Sequence, residues 1–576
     1  MRIRRAGALA LLAAAAACAA SGAARLLRPR IAEGQGGFVV SDEERASRIG
    51  AGMLARGGNA VDAAVATAFA LAVTLPEAGN LGGGGFLVAH IGGKSHALDF
   101  RETAPAAARR DMYLDARGMA TERSLTGHLA AGVPGSVAGL FEAHQKLGQL
   151  PWPELVQPAV ELAESGFVMD AGLSAVIASE RKRLAQFSAS ADLFLPGGAP
   201  VAPGTRWRNP GLAATLRRVA AQGPAGFYSG PTAELLAAEM ARGGGAITKD
   251  DLLQYKAKWR APLEISYRDH RIITMPLPSS GGPVLAMALG ILEPYSLRAL
   301  GHGSPSAIHL QAEALRRAFA ARNALLGDPE FTPDRTARLR SPEWIEAQRA
   351  TMRLDRATPS LSIGPGTGDD GGSQKHTTHL SAVDGMGNAV ALTTTLNTGF
   401  GSAVVVSGAG FLLNNEMDDF AAKPGEPNTF GLVQGEANAI EPGKRMLSSM
   451  TPTVVLDPSG RVVLVTGAAG GPTITTAVFQ ILTARLDFGA SAVEAAAGPR
   501  FHHQHLPDEL RFEPGLLGEE DKAHLESLGH RLVPREKIAD AQSILWENGR
   551  WVAVADPRRR GAPAAADAIK IAPSAR

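Results

Sequence analysis

Two clusters of hydroxyl side chains lie close together in residues 374–400, which read QKHTTHLSAVDGMGNAVALTTTLNTGF. Thr377 begins one predicted strand, Thr395 ends a run of threonines in the next strand, and Asn397 follows it. A threonine hydroxyl can attack a carbonyl if a base, an oxyanion-binding site and substrate-holding groups surround it. Threonine is also a favourable strand residue, so strand propensity alone can place several of them in one hairpin.

The turn between the two strands determines which threonines face each other. If the hairpin is symmetric about Met386, Thr377 lies opposite Thr395 and their side chains are about 5 Å apart. Because side chains alternate along a strand, Asn397 projects from the same face as Thr395. The spacing therefore predicts a shared location for these polar groups. The sequence contains no GxSxG motif, which argues against a serine hydrolase.

A threonine can use its own α-amine as the base only if it is the first residue of a chain. Thr377 is internal in the translated sequence, so this chemistry requires cleavage of the bond after His376. The preceding residues, about 355–376, are rich in Gly, Ser and Pro, which predicts an exposed and mobile segment. Such a segment makes a chain break mechanically plausible.

Three further features have both a functional and a structural interpretation. Gly470 and Gly471 precede a predicted helix, where free N–H groups can bind an oxyanion, although a tight turn explains them more simply. Glu416 and Asp419 share one helical turn, where they either hold an ammonium group or form a solvated turn. Arg101 either binds a carboxylate in bidentate fashion or is a surface residue.

A glycine-rich and a histidine-rich motif favour structural roles. Gly82–Gly85 lack the spacing of a phosphate-binding loop, so we predict close backbone packing there. His503 and His505 in the HHQH motif share a strand face and could bind a metal ion, but no third ligand is evident nearby. We therefore predict no metal site and no cofactor.

The elements around these motifs predict a layered α/β fold. Residues 59–75, NAVDAAVATAFALAVTL, are apolar on nearly every side, which predicts a buried helix. Helical patterns dominate from about 126 to 350, and strand patterns dominate from Thr377 onward. The pattern TPTVVLDPSGRVVLVTG predicts a second hairpin, and a glycine turn and a helix follow it.

The N-terminus has the features of an export signal. MRIRR is basic and the next residues are apolar with small side chains, so we assign residues 1–25 to a signal peptide. This predicts a periplasmic or secreted protein of the bacterial type. Cys18 is the only cysteine and lies in this segment, where it is either a lipid-attachment site or an inert small residue.

Charge and hydropathy argue against two classes of partner. The formal net charge of +2 includes six arginines within the first 30 residues, so the remainder of the chain carries −4. A mildly acidic protein has no general electrostatic attraction for nucleic acid or anionic membranes. No later run of about 20 apolar residues predicts a membrane span.

Taken in order, the motifs resemble those of the γ-glutamyltransferase family, whose members have the N-terminal-nucleophile hydrolase fold. The resemblance covers nearly the whole mature chain, and the motifs are weak singly but highly specific together. They are GGNAVDAAVA, GNLGGGGF, LDFRETAP, HTTHLSAVD, TLNTGFGS, GFLLNNEMDDF, KRMLSSMTPT, TGAAGGP, GPRFHHQHLPDE and ADPRR.

The resemblance implies a four-layer αββα sandwich built from two subunits of one autocatalytically cleaved precursor. Residues 26–376 form the large subunit and residues 377–576 the small catalytic subunit in this interpretation, and the two remain a tight heterodimer. Cleavage is at His376–Thr377, where Thr377 attacks its own preceding carbonyl and water opens the resulting ester.

The same resemblance assigns roles in turnover. Thr377 is implied to attack the γ-carbonyl of glutathione or another γ-glutamyl compound, with water or an amino acid or peptide as the acceptor. Thr395 orients and activates the nucleophile, and the amides of Gly470 and Gly471 stabilise the oxyanion. The residues implied for the substrate α-carboxylate are Arg101, Ser448 and Ser449, and those for the α-ammonium are Asn397, Glu416 and Asp419.

The segment KPGEPNTFGLVQGEANAIEPGKRM resembles the lid loop of many family members, with Phe430 as the aromatic gate residue. The remaining threonines of the hairpin, Thr378, Thr393 and Thr394, are then strand residues. Two segments depart from the family pattern, namely PEAGNLGGGG and the ending PRRRGAPAAADA. We expect neither departure to touch the chemistry.

Two alternatives stay open from the sequence. A related acylase for glutaryl-type β-lactam side chains shares the nucleophile but needs no ammonium-binding group, so the presence of Asn397, Glu416 and Asp419 favours the γ-glutamyl enzyme. An exported binding protein that is never cleaved is the second alternative.

Overall fold

The computed structural model describes residues 28–364 and 375–568. The predicted signal peptide, Cys18 and most of the glycine-rich segment before Thr377 therefore lie outside the described residues. The described strands are β1 Arg30–Gly34, β2 Phe38–Ser41, β3 Gly84–Ile91, β4 Lys94–Phe100, β5 Phe167–Val168, β6 Arg206–Trp207, β7 Lys258–Arg260, β8 Leu263–Tyr267, β9 His270–Thr274, β10 Lys375–Val383, β11 Ala389–Thr398, β12 Thr453–Leu456, β13 Val462–Thr466, β14 Ala468–Ala469, β15 Phe501–His502, β16 Leu510–Phe512, β17 Leu532–Pro534, β18 Asp540–Glu547, β19 Arg550–Ala555 and β20 Ala562–Ala565.

The helices concentrate between the first strands and β10, as the sequence pattern predicts. They are α1 Glu44–Ala55, α2 Ala60–Thr74, α3 Ser136–Leu147, α4 Trp152–Ser165, α5 Ala171–Ser179, α6 Arg181–Leu184, α7 Ser188–Phe194, α8 Pro210–Gln222, α9 Ala225–Tyr228, α10 Gly230–Gly243, α11 Lys249–Gln254, α12 Gly281–Leu292, α13 Leu297–Leu300, α14 Pro305–Leu325, α15 Thr336–Leu339, α16 Pro342–Ala350, α17 Thr473–Leu486, α18 Ala492–Ala497 and α19 Glu519–Ser527.

Two large antiparallel sheets form the centre of the molecule. The seven-stranded sheet has the order β20-β2-β10-β11-β3-β4-β7, and the eight-stranded sheet has the order β1-β19-β18-β13-β12-β9-β8 with β14 paired to β18. Strand β10 contacts β14 and β18, and β11 contacts β12 and β13, so the sheets pack face to face.

Helices cover the outer face of each sheet. Helices α2 and α3 pack on the seven-stranded sheet, whereas α12, α17 and α18 pack on the eight-stranded sheet. All fifteen residues of α2 are buried, which confirms the predicted buried helix. Its first turn is closed by a capping box between Asn59 and Asp62. The layer order is therefore helix, sheet, sheet, helix, in agreement with the predicted αββα sandwich.

Alternation along β10 explains which side chains face the chemistry. Leu380 and Ala382 pack into the core shared with the helices, whereas Val383 joins the core between the two sheets. Because successive side chains point to opposite faces, Thr377 shares its face with His379 and Val383. The predicted nucleophile therefore lies on the face that packs against the second sheet.

Each large sheet contains strands from both sides of the His376–Thr377 bond. In the seven-stranded sheet, β2 lies between β20 and β10, and β11 pairs with β3. In the eight-stranded sheet, β1 pairs with β19 and β9 pairs with β12. Both parts of the chain therefore build the same core, and the ladder hydrogen bonds do not depend on continuity at this bond.

Candidate active site

The hairpin of β10 and β11 brings the two predicted catalytic threonines together. Thr377 and Thr395 are direct partners in the ladder, and their Oγ1 atoms are 3.2 Å apart. The predicted hairpin register is therefore confirmed. The backbone N–H of Asn397 donates to Thr395 Oγ1 at 2.8 Å. Asn397 has a left-handed backbone with a φ of +80°, a conformation that is uncommon outside glycine and concentrates at functional sites.

The pairing becomes irregular on the N-terminal side of Thr377. Lys375 pairs with Thr398, whereas Thr377 pairs with Thr395, so the register shifts between these two pairs. An irregularity of this kind takes a residue out of the regular ladder and is frequent next to active sites. The His376–Thr377 bond, which is the predicted cleavage site, lies in this stretch.

The segment Gly82–Gly85 packs directly against the nucleophile hairpin. A Cβ at Gly83 would lie 2.1 Å from the carbonyl oxygen of Thr395, a distance that no side chain tolerates. The prediction of close backbone packing is therefore confirmed. In the same segment, Asn80 donates to the Thr395 carbonyl oxygen at 2.9 Å. The expectation that PEAGNLGGGG does not touch the chemistry is thus wrong, because Asn80 holds the strand that carries Thr395.

The C-terminal motif PRRR also reaches the nucleophile. Nη1 of Arg559 donates to the carbonyl oxygen of Thr377 at 3.0 Å and to Oδ2 of Asp42 at 3.1 Å. Its Nε lies 3.1 Å from Oδ2 of Asp540. The expectation that the altered ending does not touch the chemistry is therefore wrong. The physical reason is that the chain returns to the seven-stranded sheet at β20, which brings the preceding arginines against β10.

A cluster of charges forms the other end of the site. Arg101 is fully buried and donates through Nη1 to Glu416 and through Nη2 to Asp419. Glu416 and Asp419 lie on one 3₁₀ turn, Glu416–Asp419, as their spacing predicts. Glu102 is a third carboxylate, and its Oε2 lies 3.6 Å from Nη1 of Arg101. The surface interpretation of Arg101 is wrong.

Local hydrogen bonds fix the position of Arg101 before any ligand binds. Its carbonyl oxygen accepts from the Tyr255 hydroxyl at 2.8 Å and from Nη1 of Arg445 at 2.7 Å. Its backbone N–H donates to Oδ1 of Asp99 at 3.0 Å. The end of β4 is therefore clamped from two distant segments, which holds the guanidinium in place.

Burial dominates the electrostatics of this charged end. Burial raises the pKa of Glu416 well above its ordinary value and raises the pKa of Asp419, although Arg101 opposes both shifts. Burial also raises the pKa of Glu102 to about 7, against the opposing effect of Arg101. For Arg101 burial alone would lower the pKa, but Glu416 and Asp419 outweigh it and raise the pKa. The three carboxylates therefore keep this guanidinium charged.

One pocket joins the threonine pair to the charge cluster. Its lining is made of residues from both large sheets and from the loops at their edges. The lining residues are Arg101, Arg322, Thr377, Thr395, Asn397, Glu416, Asp419, Phe430, Leu432, Leu447, Ser448, Ser449, Met450, Gly471, Pro472 and Ile474. Among these described residues, the predicted site residues are therefore all present except Gly470.

Ser448 and Ser449 line the pocket and are held through their carbonyl oxygens, and the Ser448 hydroxyl also accepts from the N–H of Met450 at 3.1 Å. The Ser448 carbonyl oxygen accepts from N and Oγ of Ser280 at 2.7 and 2.6 Å. The Ser449 carbonyl oxygen accepts from the Thr451 hydroxyl at 2.9 Å and from the Thr475 hydroxyl at 3.2 Å. Both serines therefore belong to a rigid strand-like segment beside β12.

Gly470 and Gly471 lie at the N-terminal end of helix α17. Both have positive φ, +140° and +59°, which favours glycine at each position. Gly471 lines the pocket, and Gly470 precedes it immediately. Gly470 and Gly471 therefore form a tight turn beside the pocket, and this turn is compatible with the predicted oxyanion-binding role.

Phe430 forms part of the pocket wall and is 5% exposed. The loop that carries it is tied by Asn428, whose Oδ1 accepts from the N–H of Phe430 at 3.0 Å and of Leu432 at 3.1 Å. Phe430 and Leu432 of the predicted lid segment therefore line the pocket from a short hydrogen-bonded turn.

The HHQH motif has structural partners. Nδ1 of His502 lies 2.9 Å from the Thr476 hydroxyl, and Nε2 of His505 lies 3.0 Å from the Ser360 carbonyl oxygen. Nε2 of His503 is 3.3 Å from Oδ1 of Asp508. In the described ranges, no group of three or more His, Cys, Asp or Glu side chains has a geometry that could hold a metal ion.

Sequence reasoning missed Arg322 in the pocket. It lies on α14 and is 1% exposed. A signal was present, since no acidic residue occurs three or four positions away on either side, an unusual setting for an arginine in a buried helix.

The part of the chain with described coordinates contains no helix with the length and hydropathy needed to cross a bilayer.

The fold places the protein in the class of N-terminal-nucleophile hydrolases. A cephalosporin acylase from Bacillus halodurans has a similar crystal structure, with a TM-score of 0.83 and 26% identity over 93% of this chain and 97% of that chain. The match extends over both sheets, so the whole architecture is shared.

The family model described as Gamma-glutamyltranspeptidase matches residues 46–566. The glutathione hydrolase proenzyme of Escherichia coli is 44% identical over 526 residues, which cover 91% of this chain and 90% of that protein. The glutathione hydrolase proenzyme of Pseudomonas aeruginosa is 45% identical over 537 residues, with 91% and 94% covered. The chain belongs to the γ-glutamyltranspeptidase family of enzymes, as the motifs predict.

Proposed function

We propose that the protein hydrolyses the γ-glutamyl amide bond of glutathione and related compounds through an ester on Thr377. The observation that carries this proposal is the 3.2 Å contact between the Thr377 and Thr395 hydroxyls in a pocket that also contains Arg101, Glu416 and Asp419. A zwitterionic α-amino acid group fits the charged end, and its γ-carbonyl then reaches the hydroxyl end.

The nucleophile forms in a first reaction of the precursor. Thr377 Oγ1 attacks the carbonyl carbon of His376, the peptide nitrogen leaves as the α-amine of Thr377, and an ester forms. Water hydrolyses this ester to the carboxylate of residue 376 and a free hydroxyl. The irregular pairing at Lys375 supports this step, because a bond outside the regular ladder is easier to distort.

In turnover, Thr377 Oγ1 attacks the γ-carbonyl of the donor while its own α-amine takes the hydroxyl proton. The Thr395 hydroxyl orients the nucleophile, and the amides of Gly470 and Gly471 stabilise the oxyanion. The amine product leaves with the proton, and the γ-glutamyl ester on Thr377 remains. Water, or the amine of an amino acid or peptide acceptor, then attacks the ester and regenerates the hydroxyl.

Recognition of the donor uses the charged end. The carboxylate of the glutamyl group binds Arg101 and the hydroxyls of Ser448 and Ser449. Its ammonium group binds Glu416 and Asp419, with Asn397 beside them in the pocket. These acids pair with Arg101 in the structure, so binding exchanges these two internal ion pairs for ion pairs with the ligand. Phe430 closes the pocket as the gate of the lid.

We further propose that residues 1–25 direct export to the periplasm or beyond, with Cys18 as a possible lipid anchor in the precursor. Cleavage gives a large subunit that ends at residue 376 and a small subunit that begins at Thr377. The interleaved strands of both sheets support a tight heterodimer after the cut.

The acylase alternative rests on the similarity in structure to the cephalosporin acylase, at 26% identity. The two buried acids at the ammonium position favour a γ-glutamyl donor, because a glutaryl group has no cation to pair with them. A glutaryl carboxylate that bound Arg101 would take the cation from Glu416 and Asp419 and offer no ammonium group in its place, which is costly in a buried site.

The test combines intact-mass analysis with two donors that differ only in the α-amino group. We expect two fragments that meet between residues 376 and 377, and a kcat/KM for a γ-glutamyl anilide well above that for the glutaryl anilide. A preference for the glutaryl donor would replace this proposal with the acylase. A single uncut chain without turnover would support the binding protein.

A further inference from the structure

Arg322 is a buried cation in the pocket whose hydrogen-bond partners are all neutral. Its Nε donates to the Ser280 hydroxyl at 3.1 Å, and its Nη1 donates to Oδ1 of Asn323 at 3.0 Å and to Oε1 of Gln434 at 2.9 Å. Within residues 28–364 and 375–568, no carboxylate lies within ion-pair distance of this guanidinium. These bonds use Nε and Nη1 and leave Nη2 for another acceptor.

The other buried arginines of helix α14 are different. Arg316 and Arg317 are as buried as Arg322, but each is paired with Glu313, at 3.1 and 2.6 Å. A buried charge without a counter-ion costs several kcal/mol, so such residues are normally paired. Arg322 is the exception on its own helix, and it is also the residue of the three that lines the pocket.

Arg101, in contrast, already has three acidic partners. Glu416, Asp419 and Glu102 all lie within ion-pair distance of it. A ligand carboxylate that approached Arg101 alone would enter a region with three acids and one cation. The favourable position for a carboxylate is therefore one that also contacts Arg322, which has no acid of the described residues within ion-pair distance and interacts with Asp419 only over a longer range.

Arg322 remains charged under ordinary conditions. Burial lowers its pKa to about 10, which is still well above neutral pH. The cation is also held rigidly, since Ser280 bonds to the Ser448 backbone and Gln434 donates to the Asp419 carbonyl oxygen at 2.9 Å. The guanidinium is thus preorganised between the serine segment and the acidic turn.

We propose that Arg322 is a second carboxylate-binding residue, whose Nη2 donates to the α-carboxylate of the γ-glutamyl donor. This inference rests on the proposed function and names a specificity determinant within it. Arg322 and Arg101 hold the carboxylate from two sides, while Glu416 and Asp419 turn to the ammonium group. Ligand binding thereby supplies the anion that Arg322 lacks in the free protein.

The test compares three anilide donors on the processed enzyme. The γ-glutamyl donor has both α-groups, the 4-aminobutyryl donor lacks the carboxylate, and the glutaryl donor lacks the ammonium group. We expect Arg322→Gln to lower kcat/KM for the γ-glutamyl and glutaryl donors by about 10- to 100-fold, mainly through KM. The 4-aminobutyryl donor should change by less than about 2-fold, because it has no carboxylate for Arg322 to bind.

Arg322→Lys retains the charge but not the planar fork, so we expect an intermediate, still donor-selective loss of about 5-fold. This variant keeps the test decisive if Arg322→Gln does not fold. The matched control is Arg317→Gln, a buried arginine on the same helix that does not line the pocket. Its losses, if any, should be equal for the three donors.

Equal losses for all three donors in both Arg322 variants would overturn the proposal and leave Arg322 a structural residue. A donor-selective loss in Arg317→Gln would overturn it as well, because selectivity would then follow from general destabilisation. The proposed function fails separately: wild-type protein that turns over none of the donors would refute it, whatever the variants do.

Discussion

The two ends of the pocket are built in opposite ways. The nucleophile end is one neutral hairpin, in which Thr377 and Thr395 are ladder partners only 18 residues apart. The recognition end is charged and assembled from distant segments, since Arg101 pairs with Glu416 and Asp419 more than 300 residues away. Chemistry thus rests on local geometry, whereas recognition rests on long-range electrostatics in a buried environment.

This difference predicts how each end of the pocket responds to side-chain substitutions. A hairpin holds its hydroxyls through backbone bonds, so a side-chain change there alters reactivity with little effect on the fold. The charged end has no such independence, because each buried charge is compensated by the others. We expect variants at the first end to be folded and inactive, and variants at the second end to lose stability and affinity together.

The largest effect is expected for Thr377→Ala. Without the hydroxyl, neither the cut at residue 376 nor turnover can occur, and activity should fall by at least about 10⁴-fold. Intact mass and anilide turnover report the two losses. Thr377→Ser is the matched control, since it keeps the hydroxyl and should still be cut and active at a reduced rate. A cut and active alanine variant would contradict the assignment of the nucleophile.

The next effect is expected at Arg101. Arg101→Gln leaves three buried carboxylates without their cation, so the free energy of unfolding should fall by about 3–5 kcal/mol. Urea denaturation measures this change, with Arg110→Gln as the control. Arg110 is half exposed and pairs with Glu436 at the surface, so its loss should cost less than about 1 kcal/mol. If Arg101→Gln and Arg110→Gln had the same free energy of unfolding, the expected dependence of the charged end on its ion pairs would be wrong.

Asp418 lies on the same 3₁₀ turn as Glu416 and Asp419 but outside the pocket lining, and its burial makes the stability of the protein sensitive to pH. Burial raises its pKa to about 6, above the value of about 3.9 expected in the unfolded chain. A raised pKa favours the protonated form in the folded state, so this stability is present below pH 4 and is lost as the pH rises through 6.

Between pH 4 and pH 7, the wild-type free energy of unfolding should therefore fall relative to that of Asp418→Asn, by about 3 kcal/mol. Parallel pH profiles of the two proteins would show that Asp418 does not titrate as expected. The control is Asp115→Asn. Backbone hydrogen bonds from Met119 and Arg117 lower the pKa of this surface acid, so over the same range the wild-type free energy of unfolding should rise, not fall, relative to this variant.

The smallest effect is expected at Arg559, which holds the backbone of the nucleophile. Arg559→Gln should lower kcat by roughly 10-fold with KM unchanged, because it removes the bond to the Thr377 carbonyl oxygen and no group that lines the pocket. It also removes the pairs with Asp42 and Asp540, so kcat is compared on protein shown to be folded. Arg550→Gln, in an exposed pair with Glu33, is the control. An increase in KM with normal kcat would instead place Arg559 in recognition.

The two ends also differ in how far the sequence predicted them. The symmetric turn about Met386 was sufficient to pair Thr377 with Thr395, because register in a hairpin follows from the turn. The motif around Gly82–Gly85 likewise indicated close packing. The left-handed backbone of Asn397 and the contact of Arg559 with Thr377 were not predicted, since neither follows from local spacing.

At the charged end, residue types were informative but their partners were not. The sequence singled out Arg101, Glu416 and Asp419, yet nothing in their local spacing shows that they form one ion-paired cluster in the folded protein. The role of Arg322 was missed because it depends on the absence of a nearby counter-ion, and only the folded structure shows which residues surround Arg322.

The sequence by itself determined the layered class of fold, the pairing of Thr377 with Thr395 and the family, because turns, alternation and ordered motifs are local properties of the chain. Only the tertiary structure decided which charged residues pair, that Arg101 is paired with acids whereas Arg322 is not, and that Arg559 near the C-terminus contacts Thr377. These depend on packing distant segments in a region of low dielectric constant, where each charge must find its partner across the fold.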